Sequence, residues 1–128
     1  MKHRILIVED NEPNMELLSD WLDAEGYDVL CAATLAEGYA SFKGDPPDAV
    51  LLDVQLGNAN GLDLAEWIRQ EPGLKHIPVI AVTAHAMVTD RERVIQAGCN
   101  ACISKPISFT LLREQLEWWL GKFRATME

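Results

Sequence analysis

Ala49-Val50-Leu51-Leu52-Asp53 is four apolar residues closed by a carboxylate. No polar residue alternates within the run, so a strand here must be covered on both faces, as strands of parallel sheets are. Two other stretches have the same build. Ile5-Leu6-Ile7-Val8 runs into Glu9 and Asp10, and Val79-Ile80-Ala81-Val82 runs into Thr83 and Ala84. Tyr27 to Cys31 and Ala101 to Ile103 are weaker strand candidates, the second leading into Ser104, Lys105 and Pro106.

Helical patterns with start and stop signals separate these runs. Pro13 suits a first helical turn, and Gly26 suits the left-handed position after a helix end. Thr34 with Glu37 forms a capping box, and Gly44 closes that helix. Gly61 to Gln70 is a third helix, stopped by Pro72 and Gly73. Thr89 with Glu92 opens a fourth, which Gly98 ends, and Ser108 caps a fifth running to about Phe123. The result is an α/β chain of (βα)5 type. Right-handed crossovers wind such a chain into a doubly wound parallel sheet. At 128 residues the expectation is one domain, 1–128, with the flavodoxin-like strand order 2-1-3-4-5. Its topological switch point lies between the first and third strands, and ligands bind beyond the carboxyl ends there.

Composition narrows the function. A net charge of −9 argues against a nucleic-acid surface, which needs clustered Lys and Arg. The basic opening Met1-Lys2-His3-Arg4 is followed by an apolar run of only Ile5 to Val8, too short for a signal-peptide core or a membrane span. Cys99 and Cys102 have C-x-x-C spacing, but no second pair or nearby histidine completes a zinc site. With Cys31 they read as free thiols of a reducing compartment, so a cytoplasmic protein is expected.

The switch point collects Glu9, Asp10 and Asp53, with Thr83 and Lys105 arriving from neighbouring strands. Three carboxylates in one small cleft repel one another, and a hard divalent cation relieves that cost. Oxygen ligands on a rigid edge, with room for waters and a phosphate, suit Mg²⁺. A lysine and a hydroxyl facing the same cleft suit the remaining oxygens of a phosphoryl group. An aspartate can accept that group as a nucleophile. Taken singly each residue has a plainer role: Asp10 or Asn11 as a helix cap, Asp53 as a turn residue, Thr83 as a strand residue, Lys105 as a solvated charge. What points to chemistry is that four strands deliver the needed groups at the same end of one sheet.

These residues match a known pattern. Ile5-Leu6-Ile7-Val8-Glu9-Asp10-Asn11, Val50-Leu51-Leu52-Asp53-Val54-Gln55-Leu56 with Gly61 beyond it, Val82-Thr83-Ala84-His85-Ala86-Met87 and Ser104-Lys105-Pro106-Ile107 stand in order and at matching intervals. Over essentially its whole length the chain resembles response-regulator receiver domains. The resemblance implies that Asp53 is the phosphoacceptor of a two-component phosphorelay, with a histidine kinase or phosphotransfer protein as donor. It implies Mg²⁺ held directly by Asp10 and Asp53, by Glu9 through water, and by the backbone carbonyl of Gln55. Lys105 would pair with the phosphoryl group, Thr83 would swing its hydroxyl toward it, and the Ala84 amide would donate to it. Lys105-Pro106 would be a cis bond that helps aim the lysine. Gln55 and His85 would tune the loss of the phosphoryl group to water. The signal would leave through the face of helix 4, strand 5 and helix 5 to a downstream protein partner.

Two departures stand out. Cys102 replaces the aromatic residue usual three positions before the lysine, so that face is expected to switch differently or less visibly. Gly57 replaces a frequent proline, so Gly57-Asn58-Ala59-Asn60 is expected to be a more flexible loop. On the last helix Leu112, Leu116, Trp119, Leu120 and Phe123 share one face and should be core. Trp118 lies off that stripe beside Leu111, either as a partly covered flank residue or as a partner or homodimer contact. The chain reads as a stand-alone receiver or as part of a larger protein such as a hybrid histidine kinase. A flavodoxin-type electron carrier would need a hydroxyl- and glycine-rich loop after the first strand, where Glu9-Asp10-Asn11-Glu12-Pro13 would repel a phosphate. Asp53-Val54-Gln55 lacks the D-x-D of aspartyl-phosphate hydrolases, so an enzyme acting on outside substrates is not expected. The remaining alternative is a receiver-shaped interaction module that is never phosphorylated.

Overall fold

The apolar runs become the strands of one parallel sheet. A computed structural model of the chain describes residues 2–84 and 88–127, with 88–89 and 122–127 described by their backbone alone. The expectations placed on His85 and on the side chains of Thr89 and Phe123 fall outside these. The strands are β1 (Arg4–Val8), β2 (Asp28–Ala32), β3 (Ala49–Asp53), a short pair β4 (Gln55–Leu56) and β5 (Ala59–Asn60), then β6 (Val79–Thr83) and β7 (Ala101–Ser104). Helices α1 (Glu12–Ala24), α2 (Leu35–Ala40), α3 (Leu62–Gln70), α4 (Val88–Gln96) and α5 (Phe109–Met127) alternate with them. The five-stranded sheet runs β2-β1-β3-β6-β7 with every neighbouring pair parallel. With the two ribbon strands set aside this is the expected 2-1-3-4-5.

Alternate residues of the central strands feed two separate cores. Leu6, Val8, Val50 and Leu52 pack with Leu64, Ile68 and Val94 of α3 and α4. Ile5, Ile7, Ala49 and Leu51 pack with Leu18 and Leu22 of α1 and with Leu112, Leu116 and Leu120 of α5. Each valine, leucine or isoleucine among them that is fully removed from water contributes about 1.5–3 kcal/mol. Leu112, Leu116 and Leu120 of the α5 stripe are therefore core as expected, with Trp119 half-buried, while Trp118 is 62% exposed. No helix among the described residues is long and apolar enough to cross a membrane.

The helix caps follow the sequence signals. The Asn11 side chain accepts from the Asn14 N–H at 2.9 Å, Thr34 from the Glu37 N–H at 3.1 Å and Ser108 from the Leu111 N–H at 3.2 Å. Four differences have local causes. The second strand lies one residue later than Tyr27 to Cys31, because Asp28 already pairs with Arg4. The second helix stops at Ala40 rather than at Gly44, since Phe42 and Lys43 switch to tighter bonds onto the carbonyls of Tyr39 and Ala40. The last helix continues to Met127. The segment expected as a flexible loop is the paired ribbon β4–β5, turned by Gly57 and Asn58. A positive-φ glycine at the first of two turn residues, here Gly57 at 58°, is the arrangement of a II′ hairpin.

One side chain ties the far end of the sheet together. Arg69 of α3 donates through Nε to the Gly98 carbonyl at 2.7 Å, through one guanidinium nitrogen to the carbonyls of Ile77 at 2.7 Å and Lys75 at 3.1 Å, and through the other to Asn100 Oδ1. Burial lowers its pKa from the usual arginine value.

Candidate functional site

The site is assembled by strand register. β1 and β3 pair Val8 with Leu52, so Glu9 and Asp53 leave the sheet side by side. Asp53 in turn pairs with Val82, one residue before Thr83. Thr83 pairs with Ser104, and the Lys105 N–H donates to the Thr83 carbonyl at 2.8 Å, carrying the ladder one residue past β7. Asn11 supplies the helix cap, which leaves the Asp10 carboxylate for other partners.

Among the described residues the buried polar or charged ones are Glu9, Asp53 and Thr83, and all three stand at this edge. Carboxylate oxygens of Glu9, Asp10 and Asp53 lie within 4.8 Å of one another. Lys105 Nζ donates to Asp53 Oδ2 at 2.9 Å and lies 3.7 Å from Glu9 Oε1. The Gln55 N–H donates to Asp53 Oδ1 at 3.0 Å, and the Gly57 N–H to Asp10 Oδ2 at 2.9 Å. These groups line a cavity of about 540 Å³ that also meets Thr83, Ala84 and, from α4, Asp90 and Arg93. The Lys105-Pro106 bond is cis.

Burial pushes the Glu9 carboxyl up to about 7; the neighbouring Asp53 acts in the same direction, while Asn14 and Lys105 oppose it. Burial works against the Lys105 ammonium, but its hydrogen bond to Asp53 and the charges of Asp53, Glu9 and Asp10 outweigh this and raise its pKa. One lysine thus faces three carboxylates. The donors are all oxygen, they converge at the edge of a polar cavity, and their charge is only partly compensated. Such a set fits a hard divalent cation of the Mg²⁺ type.

A model of the response regulator receiver domain matches residues 5–117, most of the chain. The chain belongs to the receiver domain family. Polar-differentiation response regulator DivK of Brucella ovis is 43% identical over 121 residues, which is 94% of this chain and 98% of DivK. A CheY-like response regulator receiver domain protein from Methanospirillum hungatei superposes with a TM-score of 0.89 at 28% identity, over 98% of this chain and 99% of that one. The receiver domain of a sensor histidine kinase from Pseudomonas aeruginosa, solved with a magnesium ion coordinated in its active site cleft, has a TM-score of 0.85 and 33% identity over 94% and 99% of the two chains. Receiver domains are the signalling modules of two-component systems, and phosphorylation is the function of the family.

This receiver domain brings Glu9, Asp10, Asp53, Gln55, Thr83, Ala84 and Lys105 to one cavity. Gln55 reaches Asp53 through its backbone, and its side chain is exposed. Three further residues contribute: Asn14 was not singled out in the sequence, Gly57 was read there only as a loop residue, and Gly61 only as part of the Asp53 segment. Asn14 of α1 donates through Nδ2 to Glu9 Oε1 at 2.9 Å. The Gly57 amide holds Asp10 from the ribbon turn. Gly61 packs so tightly that a Cβ there would run into the Asp53 carbonyl oxygen, while its N–H donates to the Val54 carbonyl at 2.7 Å. The eight-residue interval from Asp53 to Gly61, part of the matched pattern, marks the last in the sequence. Asn14 and Gly57 reach the site through folds of the chain that leave no pattern in the sequence.

Proposed function

We propose that Asp53 accepts the phosphoryl group in this domain, transferred from a phosphohistidine of a histidine kinase or phosphotransfer protein. The observation that carries the reading is the meeting of three carboxylates within 4.8 Å with a lysine amine 2.9 Å from Asp53 Oδ2. In the transfer an Asp53 oxygen forms a bond to phosphorus as the donor's N–P bond breaks, and the electron pair leaves on the imidazole nitrogen. Mg²⁺ would be held by Asp10 and Asp53 directly, by Glu9 through water and by the Gln55 carbonyl, and when bound would neutralise these groups and the phosphoryl oxygens. Lys105 exchanges its bond to Asp53 for one to the phosphoryl group. The Ala84 amide and the Thr83 hydroxyl take the other oxygens. Gln55 and His85 set how readily water removes the group.

The new group brings about −1.5 to −2 charge and three acceptor oxygens. Drawing Thr83 toward it biases the segment between β6 and α4, and the face of α4, β7 and α5 presents the change to a protein partner. Cys102 stands on β7 within that face. The domain, 1–128, works by contact rather than by turnover of outside substrates, on neither nucleic acid nor membrane, in the cytoplasm, and Trp118 is the residue for a second copy or a partner to cover.

The test is phosphorylation by a small phosphodonor with Mg²⁺, read by intact mass, for wild type and Asp53→Asn, each repeated with chelator. One added phosphoryl group that requires the cation and is absent from the variant supports the reading. No adduct on wild type, together with no binding of a phosphoryl mimic, leaves a receiver-shaped surface that is never phosphorylated.

A further inference from the structure

Glu9 is a three-torsion side chain in a place that tolerates little freedom. It is 3% exposed, faces two other carboxylates, and would scatter among rotamers if nothing held it. Its partner comes from the next element. Asn14 sits in the first turn of α1, where its backbone N–H is fixed by the Asn11 cap at 2.9 Å. From that anchored position Nδ2 reaches back to Glu9 Oε1 at 2.9 Å. Lys105 Nζ approaches the same oxygen at 3.7 Å. Oε1 thus takes the Asn14 hydrogen bond and lies near the Lys105 charge, which fixes how the carboxylate faces Asp53 and the cavity. A carbonyl or a carboxylate in place of the amide nitrogen would repel Glu9, so the site needs a hydrogen-bond donor here.

We propose that Asn14 is a positioning residue of the cation site, one that orients Glu9 without itself touching the cation or the phosphoryl group. The proposal rests on the reading that Glu9, Asp10 and Asp53 hold Mg²⁺. Groups that orient metal-binding carboxylates commonly change affinity 10- to 100-fold when removed. Because Glu9 is assigned to act through water, the low end applies. Asn14→Ala carries no intrinsic helix cost, alanine being the better helix former.

Calorimetric titration with Mg²⁺ alone tests this, on wild type, Asn14→Ala, Glu9→Ala and the double variant, with thermal unfolding of each as a check on folding. The expected result is about tenfold weaker binding for Asn14→Ala, and an affinity of the double variant equal to that of Glu9→Ala. A purely structural role for Asn14 would instead weaken both backgrounds by the same factor, and that result overturns the proposal. Wild-type affinity in Asn14→Ala overturns it as well, while leaving the cation site intact if Glu9→Ala binds weakly. No Mg²⁺ binding by wild type would remove the cation site and the role of Asn14 together.

Discussion

Gly61 shows how much of the site rests on a residue with no functional group. The added methyl of Gly61→Ala would meet the Asp53 carbonyl oxygen, backbone that cannot rotate away. The variant should lose about 1–3 kcal/mol in urea unfolding and accept a phosphoryl group more slowly, because the backbone of Asp53, the proposed acceptor, must shift. Unchanged stability and rate would show that the close approach relaxes freely. Cys99 gives a second residue-scale expectation. Burial pushes its thiol up to about 12, so the folded state holds the proton more tightly than the unfolded chain does. Its contribution is fully present below the ordinary thiol pKa and is lost as pH rises through the folded value. Between pH 9 and 10.5 wild type should lose up to roughly 2 kcal/mol more than Cys99→Ala in chemical denaturation. Glu9, Asp53 and Lys105 were legible in the sequence because each follows an apolar run whose end the fold fixes. Asn14 was not, because a polar residue in a first helical turn looks the same whether it faces water or a carboxylate.

At the scale of elements, the Arg69 guanidinium joins α3 to the segments before β6 and β7 through four acceptors. Hydrogen bonds to a charged group contribute about 1.5–3 kcal/mol each and are not additive. Arg69→Met should therefore cost roughly 3 kcal/mol or more in urea unfolding, and Arg69→Lys should recover little of it, since an ammonium lacks the planar fork. Full rescue by lysine would show that charge rather than geometry holds the three segments. The main strands and helices could be read from apolar runs and caps. The ribbon β4–β5 could not, since Gly57-Asn58-Ala59-Asn60 offers no apolar alternation and its order comes partly from the bond between the Gly57 amide and Asp10.

For the whole molecule, the balance of charge at one edge of the sheet should be felt in global stability. A ligand that binds only the folded state stabilises it by about 2.7 kcal/mol at a hundredfold excess over its Kd. Mg²⁺ should raise the thermal midpoint by several degrees, chelator should reverse this, and Asp53→Ala should shrink the effect. An identical shift in Asp53→Ala would place the cation elsewhere on this acidic surface. The fold order was legible because continuous apolar strands allow one layered arrangement of a short βα chain. The division into two cores follows from the same strands, as the parity of Ile5 and Ile7 against Leu6 and Val8 shows.

That parity also makes the strands a ruler. One residue inserted between Leu6 and Glu9 would turn Glu9 to the opposite face and exchange the apolar side chains of two cores at once. Two inserted residues would restore the faces but carry Glu9 about 7 Å past Asp53. Strand length is counted out by the chemistry at its end, so insertions and deletions in chains built this way should collect in the turns at the opposite end of the sheet, where no carboxylate of the site depends on the count.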